Sequence, residues 1–74
     1  MLDYTNLNEH LDDEYKGVQE YADLYKQTNE GIFRDMAREE MIHAKHLEWY
    51  ISKAGKLTDH ALTKASAEKA LNEI

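Results

Sequence analysis

The chain has no cysteine and no proline, and its 74 residues include only three glycines, one tryptophan and one phenylalanine. The absence of cysteine excludes disulfides, thiolate metal sites and thiol nucleophiles. It is compatible with a reducing, cytoplasmic location, which is the expectation. The absence of proline removes the residue that most strongly interrupts a helix. Basic residues are also few: nine lysines and arginines against fifteen aspartates and glutamates leave a net charge of −6. A phosphate backbone has to be met by a basic surface, so nucleic acid is not an expected partner, whereas cations suit this charge. No apolar run reaches the roughly 18 residues that a membrane span requires, and no signal peptide is visible, so no membrane association is expected.

What is present is 42% hydrophobic and 32% charged, the balance of a globular chain. At this length there is one domain, residues 1–74, near the size at which a single hydrophobic core is only marginally sufficient. The fold class expected is all-α, with helices over 6–27, 30–54 and 59–74.

Asn6 followed by Glu9 reads as a capping box that opens the first helix. Apolar positions then recur as Tyr4, Leu7, Leu11, Val18, Tyr21 and Tyr25, the narrow seam of a helix packed against other helices, with Tyr15, Ala22 and Leu24 beside it widening the buried stripe. Where the pattern asks for another apolar residue, between Leu11 and Val18, the chain has Glu14. Gln27 to Gly31 breaks the periodicity, with Asn29 as the expected cap of the next helix, and so short a connection implies an antiparallel hairpin. The second seam runs Phe33, Met36, Glu40, His43, Leu47, Tyr50 and Ala54, flanked by Ala37, Ala44 and Ile51, and two of its consecutive positions are polar. Gly55 ends this helix. Thr58 is the expected cap of a third, less regular helix, and His60 beside it reads as a surface residue.

Folding the hairpin about residue 28 or 29 sets position i opposite roughly 57 − i, so Glu14 stands level with His43 and about one turn from Glu40. Glu40 and His43, three apart, project from one helix face. Three metal-capable side chains thus interrupt apolar seams at one height. An unpaired buried carboxylate costs several kcal/mol unless it is paired, protonated or metal-bound, so the coincidence marks a candidate site. One hairpin offers only two carboxylates and one imidazole. Two hairpins about a twofold axis would offer four carboxylates and two imidazoles, the ligand set of di-iron and di-manganese carboxylate bundles. Such oxygen and nitrogen ligands suit iron, and also manganese, better than a structural zinc site.

Glu14-Tyr15-Lys16-Gly17-Val18-Gln19-Glu20-Tyr21 together with Glu40-Met41-Ile42-His43 resembles half of a ferritin-like, rubrerythrin-type bundle, and most closely the short single-hairpin ferritins. The resemblance covers about residues 6 to 54. It implies that Glu14 is the first-helix metal ligand, that Glu40 is a carboxylate bridging two irons, and that His43 is a terminal nitrogen ligand. It also implies that Tyr21 hydrogen-bonds a ligand carboxylate and orients it.

The expected protein is therefore a homodimer, or a larger homo-oligomer of dimers, forming a ferritin-like four-helix bundle around a di-iron site. The catalytic and metal residues are Glu14, Glu40 and His43. The expected activity is that of a ferroxidase, oxidising Fe(II) with dioxygen or peroxide for iron handling or oxidative-stress protection. The alternative is a non-catalytic helical oligomerisation or scaffold module in which the polar layer specifies pairing. His10, Glu20, Asp35, Glu39 and His46 lie off the seams and read as surface residues, an entry or secondary cation site at Asp35, Glu39 and His46 being the alternative.

Overall fold

The computed structural model describes residues 2–74. Three helices make up the fold: α1 (Tyr4–Thr28), α2 (Gly31–Lys53) and α3 (Ala61–Asn72). α1 starts two residues before the expected boundary because Asp3, not Asn6, is its cap. The Asp3 carboxylate Oδ1 accepts from the backbone N–H groups of Thr5 at 3.0 Å and Asn6 at 3.2 Å, satisfying two donors of the first turn.

The hairpin connection also differs from the expectation in detail. Asn29 closes α1 rather than opening α2. It adopts a left-handed conformation (φ 57°), and its N–H donates to the Tyr25 carbonyl at 2.7 Å. Asparagine tolerates that region better than most residues, so the same local preference that marks a turn serves the end of the first helix. Gly55 (φ 70°) follows the end of α2 as expected. The third helix begins at Ala61, whose N–H is accepted by Asp59 Oδ1 at 2.9 Å; Thr58 is committed elsewhere and caps nothing.

α1 and α2 are antiparallel, with Glu14 facing His43 and Gly17 facing Glu40. α3 lies along α1 and barely touches α2. This placement decides which stripe of the hairpin becomes core. On α1 the buried residues are Asn8, Leu11, Tyr15, Val18 and Ala22; on α2 they are Ala37, Met41, Ala44 and Ile51. Most of these stand one position along from the seams expected from the periodicity. Seam residues Leu7, Glu14, Tyr21, Phe33, Met36, Glu40 and Leu47 are only half-buried, and His43 and Tyr50 are exposed. α3, through Ala67 and Leu71, covers one flank of the hairpin and so draws these neighbouring positions into the core. The polar level Glu14–Glu40–His43 therefore sits at the edge of the core, with the two carboxylates half-buried and His43 exposed.

Candidate metal centre

Glu14 projects from the middle of α1, and Glu40 and His43 project from successive turns of α2. Among the described residues, these three form the one group of metal-capable side chains whose ligand atoms all lie within 4.8 Å of one another. His43 Nδ1 is 3.7 Å from Glu14 Oε2 and 3.9 Å from Glu40 Oε1. The levelling expected from the hairpin register is thus present in the fold. Accessibility rises across the group: the Glu14 side chain is 13% exposed, Glu40 26% and His43 57%. The two carboxylates are the drier members of the group and the imidazole is the exposed one.

The electrostatics of this edge are unbalanced. Glu14 Oε2 is buried and has no hydrogen-bond donor while both carboxyls are ionised. A proton shared between Glu40 and Glu14 supplies one. That hydrogen bond, then burial, then the negative charge of Glu14 raise Glu40 from an ordinary 4.5 to about 7. Two carboxylates on one partly dried level cannot both ionise cheaply, so the pair needs either a proton or a cation. The donor set, two carboxylates and one imidazole without sulfur, fits a divalent first-row cation such as iron or manganese.

Two further residues shape the site. Gly17, on the turn of α1 after Glu14, has no side chain where Glu40 leans across. A Cβ built there would lie 3.0 Å from Glu40 Oε2. Glycine inside a helix costs about 1 kcal/mol relative to alanine, and that unexplained cost in mid-helix was the available sequence signal. His10 was expected to be a surface residue, and its ring is indeed 64% exposed. Its Nε2, however, lies 3.1 Å from Glu14 Oε1. The i, i+4 spacing of His10 and Glu14 carried that signal.

No family model, curated protein or solved structure matches the chain. The residues and their arrangement are what bear on function.

Tyr21 is half-buried on α1. The tyrosine hydroxyl that donates to a carboxylate across the hairpin is that of Tyr15, to Glu48 Oε2. Lys64 of α3 donates to the other oxygen of Glu48 at 3.0 Å. The Tyr15 hydrogen bond is the main cause holding Glu48 below its usual range, and burial pushes the Tyr15 phenol well up. This trio ties α3 to the hairpin. Exposed Glu20, Asp35, Glu39 and His46 join no cluster.

His60 departs from the surface role expected of it: its side chain is only 9% exposed. Its Nε2 is 2.9 Å from Asn8 Oδ1, so it carries a hydrogen toward that acceptor, and its Nδ1 is 3.5 Å from Asp12. Asn8 Oδ1 also accepts from the N–H and the hydroxyl of Thr58, while its Nδ2 donates to the carbonyls of Tyr4 and Lys56. Every hydrogen-bonding atom of this buried amide is thereby used to pin the α2–α3 connection onto α1. An open groove of about 710 Å³ runs beside it, lined by residues that include Glu9, Asp13, Lys16 and Lys56.

Proposed function

We propose that this chain is half of a ferritin-like carboxylate protein. Two copies related by a twofold axis assemble a four-helix bundle, and Glu14, Glu40 and His43 of each copy hold a pair of iron ions, or manganese in their place. The activity is ferroxidase-type. Fe(II) is the substrate, and two ions give up one electron each to reduce dioxygen to peroxide, or peroxide to water, with protons drawn from solvent.

The observation that carries this reading is the unsatisfied carboxylate level. Glu14 Oε2 is buried without a donor when both carboxyls are ionised, and Glu40 holds a proton near neutrality because it leans on Glu14. A divalent cation satisfies both at once by replacing that proton. Glu14 and Glu40 supply compensating charge, and His43 supplies a neutral nitrogen. Tyr21 takes the role of orienting a ligand carboxylate. The half-buried Phe33 and Met36 and the exposed Tyr50 on the same seam support pairing, since a core of this size gains from further apolar cover.

Metal analysis of the purified protein, its mass in solution and the rate of Fe(II) oxidation in air test the reading together. About one iron per chain in a dimer or larger assembly, lost in Glu40→Ala and His43→Ala, is the expected result. Metal-free, monomeric protein inactive toward Fe(II) would overturn it. A dimer that takes up no metal would instead identify the polar layer as a pairing device of a scaffold module.

A further inference from the structure

The two oxygens of Glu14 have different surroundings. Oε2 points to the Glu40 and His43 side and accepts nothing while both carboxyls are ionised, whereas Oε1 meets His10 Nε2 at 3.1 Å. An ionised carboxylate only accepts, so His10 must carry its hydrogen on Nε2 to make this contact. The imidazole therefore donates whether it is neutral or charged. Both residues stand on α1 four positions apart, so the pair is set by one continuous helix and survives any movement of α2.

We propose that His10 is a positioning residue of the candidate metal centre. It clamps Glu14 through Oε1, so that Oε2 stays free and aimed at Glu40 and His43 before any cation arrives. The inference rests on the metal-binding reading of Glu14, Glu40 and His43. It adds to that reading a residue from outside the ligand group: the His10 nitrogens are not among the atoms that converge within 4.8 Å. A carboxylate held at one oxygen presents a single oxygen to a cation. Removing such a support costs about 10- to 100-fold in metal affinity in other sites. An exposed histidine–carboxylate pair with no such role would contribute almost nothing measurable.

Co(II) titration of the full chain tests this, read by affinity and by the visible ligand-field spectrum. His10→Ala is expected to bind the same number of Co(II) ions about tenfold more weakly, with an altered spectrum, because Glu14 is free to bind through both oxygens. His10→Gln, whose amide N–H reaches Glu14 at the same spacing, should recover most of the affinity, and the shorter His10→Asn should not. Wild-type affinity and spectrum in His10→Ala, while Glu40→Ala abolishes binding, would overturn the role of His10 and leave the metal reading standing. Loss of one imidazole from the count of paramagnetically shifted ring N–H resonances in His10→Ala would overturn it differently, by making His10 a ligand. If the unsubstituted chain binds no Co(II), the metal reading falls and the role of His10 falls with it.

Discussion

A Cβ on Gly17 would stand 3.0 Å from Glu40 Oε2, so the Glu40 carboxylate occupies space that exists only because α1 has no side chain at that point. The contact links a local sequence choice on one helix to the position of a charged group on the other. It also explains a glycine placed where helix propensity argues against it.

Gly17→Ala should therefore separate stability from site geometry. The new methyl group gains about 1 kcal/mol of helix propensity, and the clash is with the far end of a flexible side chain, so the metal-free chain should melt at the same temperature or a few degrees higher. Metal affinity should fall roughly tenfold because Glu40 is displaced from Glu14. In a Glu40→Ala background the same change should stabilise without qualification. A thermal melt of the four variants of this double-mutant cycle, with Co(II) affinity for the two that retain Glu40, measures both effects.

The Glu40–Glu14 pair predicts a pH dependence on the neutral side. The folded value of Glu40, about 7, lies above its ordinary 4.5, so the stability gained from the shared proton is complete below about 4.5 and lost as pH rises through about 7. Discounted for solvent screening at a partly exposed site, the loss should be on the order of 1 kcal/mol, about 4–8 °C in Tm for a domain of this size. Glu40→Gln, which keeps a neutral donor at every pH, should flatten this part of the profile relative to wild type. Saturating Co(II) should reverse its slope, because a cation competes with the proton.

Asn8 should be the residue whose loss most damages the docking of α3. It holds the α2–α3 connection through the carbonyl of Lys56, the N–H and hydroxyl of Thr58 and the ring of His60. Asn8→Ala leaves the Lys56 carbonyl and the Thr58 N–H with only water as a partner, while the Thr58 hydroxyl and the His60 ring keep each other, and should cost on the order of 2 kcal/mol. Hydrogen exchange should show α3 and the connecting segment losing protection before the hairpin does. Loss of protection spread evenly over all three helices would contradict this assignment.

The three helices, the antiparallel hairpin and the coincidence of Glu14, Glu40 and His43 at one height were all legible in the sequence. Each follows from short-range rules: 3.6-residue periodicity, helix-ending signals near residues 29 and 55, and a fixed rise per residue that makes register a matter of counting. Cap assignments were less secure, because Asp3 and Asn6 have interchangeable chemistry and Asn29 suits the end of one helix as well as the start of the next. Periodicity also could not say which of two adjacent stripes would be buried. Glu14 lies next to Tyr15, and Glu40 next to Met41, and only the docking of α3 on α1 put the second member of each pair inside. The same tertiary choice turned Asn8 and His60 from polar residues of no evident role into a fastening. It left the carboxylate level half-buried at the edge of the core. Long-range contact decides these matters, because an amphipathic helix is specified by its own sequence but its neighbour is not. The sequence by itself determined which polar groups meet, and the tertiary structure decided how dry they are, which of their oxygens are held and which stripe of the hairpin is buried.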